Sequence, residues 1–455
     1  MVEPRQLREL REIVGDEHVL VDEDLLSSYV VDFTGRFRGW SGCVVRPGST
    51  QEVAAIVSTC RRNGIRLTVQ GGNTGLVGGA VPLGGETVLS LRRLSRIDHV
   101  DPRSGQLTAG AGVSIVAVQQ AAAAAGWAYG VDFSSRASAT VGGSVATNAG
   151  GLRVLRHGDT RAQLLGVEAV LGTAAVVSRL SGLTKDNTGY HLPGLLCGSE
   201  GTLGVVTAAR FRLVAPLAQR VVALLAFRTP SDAVAAAGSL RRQLPSLSAA
   251  ELFFDEGLSL VREVLSLPTP FPSRHRAYLL LEAGADHDPV TELSAAVESL
   301  HGVEAVAVAT GGHGADQLWR YREGHTEAIN TLGAPHKLDV TVPMDAFAEL
   351  VERVPEVVAR LRPEARTWLF GHAAEGSLHV NVTGVDPADE EVDEAVLRLV
   401  ASLEGSISAE HGIGRAKRRW LDLCRSSAEI EAFRAIKGAL DPDGILNPGV
   451  LLPDS

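Results

Sequence analysis

The segment Gln70-Gly-Gly-Asn-Thr-Gly-Leu-Val-Gly-Gly-Ala-Val-Pro82 carries glycine at positions 71, 72, 75, 78 and 79, and it leaves a stretch that reads as strand, helix, strand. Cys43 to Val45 is a short strand. Ser49 with Glu52 three residues later predicts a capping box, and Val53, Ile56, Val57 and Cys60 recur at i, i+3, i+4 and i+7, the apolar stripe of a helix. Gly64 sits where a left-handed helix stop is wanted, and Ile65, Leu67 and Val69 then alternate as a strand. A glycine-rich loop leaving such a strand lets successive backbone N–H groups converge on an anion. Tight turns in a chain with 49 glycines are the competing explanation.

Standard nucleotide loops do not match. A mononucleotide loop ends in Gly-Lys-Ser/Thr, and no lysine follows these glycines; the dinucleotide pattern fails because Gly110-Ala-Gly112 is followed by Ile115 at the third glycine position. Nucleic acid is disfavoured too, since 43 basic against 53 acidic residues gives a net charge of −10, and only 5% of residues are aromatic. A length of 455 residues suggests two or three domains, and an apolar share of 45% is enough to bury a large core.

Four cysteines without Cys-x-x-Cys spacing imply reduced core thiols. The amino terminus lacks the apolar run of a signal peptide, so a cytoplasmic protein is expected. Leu107 to Val131 carries no charge, but glycines and the Gln119-Gln120 pair interrupt it; it reads as strand, turn and alanine-rich helix, with no integral membrane segment.

The glycine loop is followed by Ser138-Ala-Thr140-Val-Gly142-Gly143-Ser-Val-Ala-Thr147-Asn148 and by Cys197-Gly-Ser-Glu200-Gly-Thr-Leu-Gly204-Val-Val206-Thr207. In this order the clusters resemble the flavoproteins of the vanillyl-alcohol oxidase type, and among them the FAD-linked 2-hydroxyacid dehydrogenases. The resemblance runs from about Cys43 to Pro448. It implies an α+β protein: a two-part FAD-binding domain over 1–216, an α+β substrate or cap domain with an antiparallel sheet over 217–410, and a segment 411–455 returning to the FAD domain. It also implies that the amides of Gly71, Gly72, Asn73, Thr74, Gly75, Gly78 and Gly79 hold the FAD pyrophosphate. Ser138, Thr140, Gly142, Gly143, Thr147 and Asn148 would line the flavin, with Glu200, Gly204 and Val206 near the adenosine half and Asn447 in the closing motif. Relatives with tethered flavin carry a histidine in the first loop; Asn73 stands there instead, so FAD is expected to be noncovalent.

The second half holds Phe370-Gly-His372-Ala-Ala-Glu-Gly-Ser-Leu-His379-Val-Asn381-Val and, later, Glu410-His411-Gly412-Ile-Gly414. In a strand over Leu378 to Val382 the period of two puts His379 and Asn381 on one face, and a turn at Glu375-Gly376 would bring His372 beside His379. Two imidazoles and a carboxylate are a usual set for a catalytic divalent ion. From spacing alone, ordinary hydrogen-bonded histidines remain the competing account. The resemblance implies that His372, His379 and Glu410 are metal ligands, Asn381 contacts substrate and His411 is the base. A swap, with His411 as ligand and Glu410 structural, stays open, and either needs a turned backbone at Gly412 and Gly414.

Arg322 and Thr326, four apart on one predicted helix, and Lys337 resemble the carboxylate-binding set of the 2-hydroxyglutarate enzymes. The expected reaction is oxidation of a D-2-hydroxy acid, D-2-hydroxyglutarate favoured, to the 2-oxo acid by hydride transfer to flavin N5, with Zn²⁺ as the expected metal and Mn²⁺ or Co²⁺ compatible. D-lactate or glycolate dehydrogenase, or a flavin-binding subunit without its own chemistry, are the alternatives. The partners expected are a small 2-hydroxy acid and an electron acceptor that the sequence does not identify; a homodimer is compatible with it.

Overall fold

The structure, a computed structural model, describes residues 2–98 and 100–453. Two compact units share the chain. One comprises Met1–Gly151, His157–Pro216 and Glu410–Ser455; the other comprises Leu152–Arg156 and Leu217–Ala409.

The first unit contains two four-stranded sheets. Strands β1 (Val19–Leu20), β2 (Val44–Val45), β3 (Leu67–Gln70) and β4 (Thr87–Ser90) lie in the order β1-β2-β4-β3, with β2, β4 and β3 parallel and β1 antiparallel to β2. The helix Thr50–Asn63 joins β2 to β3 and buries Val53, Ile56, Val57 and Cys60, the stripe read from the sequence. The expected capping box is half formed. Ser49 Oγ accepts the Glu52 N–H at 3.2 Å, but the Glu52 carboxylate takes the N–H of Gly48 at 2.7 Å instead of that of Ser49. Gly64 ends the helix in the left-handed region, φ +64°.

The outer edge of β3 is closed by the distant segment 445–447. The Leu67 N–H donates to Ile445 O (2.8 Å), and the Asn447 N–H donates to Leu67 O (2.9 Å). The Asn447 side chain continues the seam, accepting from the Val69 N–H at 2.7 Å and donating to Glu200 O at 2.7 Å.

Strands β5 (Gln106–Gly110), β6 (Leu164–Leu171), β7 (Val176–Arg179) and β8 (Gly204–Arg212) form the second sheet, antiparallel throughout in the order β5-β8-β6-β7. Its core gathers Leu107, Val167, Ala169 and Phe211 with Val118 and Ala122 of the helix Ile115–Ala124 and Val141 and Val145 of the helix Val141–Thr147. The uncharged run after Leu107 is therefore strand and helix, and among the described residues no helix is long and apolar enough to cross a membrane.

The second unit is one seven-stranded sheet. Strands β9 (Gln219–Phe227), β10 (Leu247–Phe254), β11 (Ala277–Ala285), β12 (Val303–Ala309), β13 (His336–Thr341), β14 (Arg366–His372) and β15 (Ser377–Thr383) take the order β12-β9-β11-β10-β14-β15-β13, every neighbour antiparallel. Helices Pro230–Gln243, Phe347–Leu361 and Glu390–Ser402 cover one face, over Leu338, Val340, Leu378, Val380 and Val382. The opposite face carries Leu224, Phe253, Tyr278, Leu280, Trp368 and Phe370, packed with the helices Asp255–Leu265, Gly312–Glu323 and His325–Asn330. Arg322 and Thr326 therefore do not share one uninterrupted helix. The break falls at Gly324, whose backbone stays right-handed (φ −68°, ψ −13°), so the spacing of one turn survives.

Candidate functional site

In the first unit the loop after β3 leaves most of its backbone donors to solvent or a ligand. Among the described residues, no backbone N–H from Gly72 to Ala80 is donated to a protein acceptor. A run of unmet donors on a half-buried loop is costly unless water or a ligand accepts from them, and converging amides are a natural anion seat. Two contacts orient the loop. The Arg92 guanidinium donates to the carbonyls of Gly71 and Gly72, each at 3.2 Å. Because a trans peptide sets its C=O and N–H on opposite sides, the N–H groups of Gly72 and Asn73 point away from Arg92. Asn73, at φ +57°, anchors the turn by donating from Nδ2 to Val31 O at 2.8 Å.

Close approach explains the first glycine pair. A Cβ at Gly71 would strike Thr140 Oγ1 and one at Gly72 would strike Ser138 O, whereas at Gly75 it would meet nothing within 4 Å. The loop lies tight against the Ser138–Thr140 turn and opens at Gly75.

The second cluster is largely occupied with its own structure. The Gly142 N–H donates to Ala111 O (2.8 Å), the Gly143 N–H to Thr140 Oγ1 (3.4 Å), and Thr147 Oγ1 to Gly143 O (3.0 Å). Asn148, left-handed at φ +51°, donates to Asp159 and accepts from the Arg161 N–H. These residues can offer a ligand a packed wall more readily than free amides. Gly204 and Val206 belong to β8, with Val206 in the core of the second sheet. The Glu200 carboxylate accepts from the N–H groups of Ile413 (2.8 Å) and Gly414 (2.7 Å). Burial raises its pKa, and these two donors and Lys417 offset part of that rise.

The same clamp shapes the Glu410-His411-Gly412 segment. No strand forms there; Gly412 takes φ +82° and Gly414 φ +55°, and a Cβ at Gly412 would lie 2.9 Å from Glu200 Oε1. The backbone is turned, as Glu410 and His411 require if they are to serve one site. Glu410 Oε1 accepts the Gly151 N–H at 2.9 Å.

In the second unit the register gathers polar side chains onto one sheet face. The hairpin β14–β15 turns through Ala373–Glu375 and Gly376 (φ +70°), pairing His372 with Ser377 and Phe370 with His379. The two imidazoles meet edge to face, with centroids 5.3 Å apart. Asp339 pairs with His379, Lys337 with Asn381, and Glu251 with His372. Since side chains of directly opposed residues share a face, Lys337, Asn381, Asp339, His379, His372 and Glu251 line one surface.

Each histidine has a carboxylate at Nδ1. Glu251 Oε1 lies 2.7 Å from His372 Nδ1, and Asp339 Oδ1 lies 3.2 Å from His379 Nδ1. The candidate ligand atoms of His372 and His379, and those of His379 and Asp339, lie within 4.8 Å of one another. This donor set suits a divalent ion held by imidazole nitrogens: the Glu251 hydrogen bond at His372 Nδ1 fixes that ring's tautomer and presents Nε2 as the metal-binding atom, while Asp339 offers His379 an ion-pair contact. Ala409, the residue before Glu410, donates its N–H to Asp339 O at 3.3 Å.

Arg322 reaches the same surface from its helix. Its guanidinium sits 2.7 Å from Glu251 Oε2 and 4.6 Å from the centre of the Phe370 ring, while its buried Nε has no hydrogen-bond partner among the described residues. Burial pushes the Glu251 carboxyl up, but its interactions with His372 and Arg322 outweigh that and the net shift is downward. Lys337 is buried with Asn381 Oδ1 at 3.3 Å and no carboxylate partner among the described residues; burial brings its ammonium down to about 8. Thr326 is half-buried on the next helical turn. His325 is a different kind of histidine. Packed against Phe253 and Phe370, it is pushed down to about 3 by burial and then by Arg322, so it stays neutral.

Sequence reasoning missed Glu251, Asp339 and Arg92. A single acid inside the apolar run Leu247–Phe254 was the available sign, because a buried carboxylate needs partners. Glu282 in β11 is a second case: it accepts from Arg153 Nε at 2.7 Å and Trp319 Nε1 at 3.0 Å, tying Leu152–Arg156 into this unit.

Residues 41–179 match the FAD binding domain family, and residues 217–451 match the C-terminal domain of FAD linked oxidases. The chain belongs to the FAD-linked oxidases and binds FAD. D-2-hydroxyglutarate dehydrogenase of Xanthomonas citri pv. viticola is 36% identical over 99% of this chain and 97% of its own length. The mitochondrial D-2-hydroxyglutarate dehydrogenase of Bos taurus is 36% identical over 96% of this chain and 81% of its own. Among solved structures, 4-ethylphenol oxidase from Gulosibacter chungangensis superposes with a TM-score of 0.80 at 18% identity, covering 100% of this chain and 98% of that one, a likeness of fold. The expected vanillyl-alcohol oxidase type of fold is thus the one observed.

Proposed function

We propose that this protein is an FAD- and metal-dependent D-2-hydroxyacid dehydrogenase acting on D-2-hydroxyglutarate, with the divalent ion, zinc in the first instance, held by His372, His379 and Glu410. The observation that carries the reading is the pair of buried cations beside the two histidines. Arg322 keeps an unmet Nε–H and Lys337 an ammonium without a carboxylate, on the sheet face that also bears His372 and His379. Two such groups next to a metal call for a substrate with two carboxylates, and the likeness to D-2-hydroxyglutarate dehydrogenases supports that choice over D-lactate or glycolate.

When bound, a divalent ion supplies Lewis acidity toward the substrate hydroxyl, and FAD supplies a two-electron acceptor. The chain's own residues do the rest. Arg322 and Lys337 bind the carboxylates, Arg322 through its planar fork and Lys337 as a point charge, and Thr326 offers a hydroxyl one turn away. Asn381, fixed by Lys337 and by Nδ2 donation to Trp368 O at 3.5 Å, orients the substrate oxygen. His411 takes the hydroxyl proton, a task suited to an imidazole near neutral pH. FAD is held noncovalently, because Asn73 replaces the histidine used for tethering and its side chain is spent on Val31.

The test is an anaerobic titration of the purified protein with D- and L-2-hydroxy acids, following loss of the oxidised flavin band. Bleaching by D-2-hydroxyglutarate, abolished by EDTA and restored by Zn²⁺, is the expected result. Equal bleaching by the L isomer, or full activity in metal-free protein, would overturn it.

A further inference from the structure

The Glu251 carboxylate has one oxygen on each of two groups. Oε1 is 2.7 Å from His372 Nδ1 and Oε2 is 2.7 Å from Arg322 Nη2, with the residue 1% exposed. From this geometry we infer that Glu251 is the positioning residue of the site: it sets the His372 tautomer for metal binding and fixes the Arg322 guanidinium for substrate. The inference rests on the metal-dependent reading above.

The register fixes this role. β10 pairs with β14 so that Glu251 stands directly opposite His372, and the Arg322 helix packs over the same face. An imidazole that donates Nδ1–H to a carboxylate carries its lone pair on Nε2, so Glu251 decides which nitrogen faces an ion. The same anion makes an ion pair with the Arg322 Nη2 at 2.7 Å, without hydrogen-bond geometry, and the guanidinium lies over the Phe370 ring at 4.6 Å from its centre. Rotation of the fork would cost an ion pair buried on both sides. Arg322 therefore presents Nε, its unmet donor, in one direction. One carboxylate couples the geometry of the metal seat to that of the carboxylate seat.

The experiment measures Zn²⁺ affinity of metal-stripped, FAD-loaded protein by chelator competition for wild type, Glu251→Gln, Glu251→Asp and His372→Ala. Glu251→Gln keeps the side-chain volume and can still accept from Nδ1–H while losing the charge. The expected result is 10- to 100-fold weaker Zn²⁺ binding in Glu251→Gln. KM for D-2-hydroxyglutarate at saturating metal should rise, and flavin content should be unchanged. Changed visible bands of the Co²⁺-substituted variant would report the altered imidazole directly. If wild type binds Zn²⁺ and loses it in His372→Ala but Glu251→Gln and Glu251→Asp bind as wild type does, the positioning role fails while the metal reading stands. If wild type itself binds no divalent ion, the metal reading fails first.

Discussion

The His372 and His379 rings stand 5.3 Å apart with their planes at 78°, held by a hairpin in which the two residues sit two positions out of register and so on the same face. Such a pair can share one ion only if both rings are kept in place, so each should be needed. Alanine at either position is expected to abolish stoichiometric zinc, measured by elemental analysis, and to lower kcat/KM at least a hundredfold. The protein should stay yellow. Zinc retained at full stoichiometry in both variants would remove the pair from the metal site.

Lys337 predicts a pH dependence. Its folded value, about 8, lies below the ordinary 10.5, so the fold favours the neutral amine. Only the ammonium can bind a carboxylate, so kcat/KM should fall as pH rises through about 8. The stability sign runs the other way. The burial cost is absent above the unfolded value, grows as pH falls from 10.5 to 8, and is constant below. Lys337→Met should remove the alkaline limb, lower kcat/KM roughly 10- to 100-fold, and raise Tm at pH 7. A variant with an unchanged pH profile would exclude Lys337 from substrate binding.

Arg92 and Gly72 test the proposed role of the glycine loop in holding FAD separately from the chemistry. Arg92→Ala frees the carbonyls of Gly71 and Gly72 and should weaken FAD binding about tenfold, the scale of one charged hydrogen bond, as read by flavin fluorescence. Gly72→Ala drives a methyl into Ser138 O and should yield colourless or poorly folded protein. Normal flavin content in Gly72→Ala would show that the loop does not hold the cofactor.

Asn447 joins Val69 and Glu200 through its side chain. Asn447→Ala leaves a buried amide and a buried carbonyl without partners, at a cost of about 2–4 kcal/mol. A lower Tm with faster flavin loss is expected in thermal melts followed by flavin fluorescence. An unchanged melt would assign the seam to the backbone bonds alone.

What could be read in advance depended on whether a local rule fixed it. The alternation of Leu378, Val380 and Val382 against His379 and Asn381 set the face of β15, and a glycine turn of fixed length returned the chain to His372. Glu251 and Asp339 lie 121 and 40 residues from their histidines, and only strand pairing across the sheet makes them neighbours. No periodicity encodes which strand lies beside β14. Arg322 and Lys337 belong to types usually solvated; their burial follows from helices closing over the sheet, a tertiary event. Gly412 and Gly414 were readable as permission for a turn, while the Glu200 clamp that uses the permission was not.

The seam along β3 has a temporal consequence. Its last contributor, Asn447, emerges from the ribosome after every residue of the sheet that spans Gln219 to Thr383. During synthesis the seven-stranded layer can assemble while the nucleotide-binding half still waits with an open flank. A nascent chain stalled before Ile445 would thus carry all seven strands of that layer and an uncovered edge on β3.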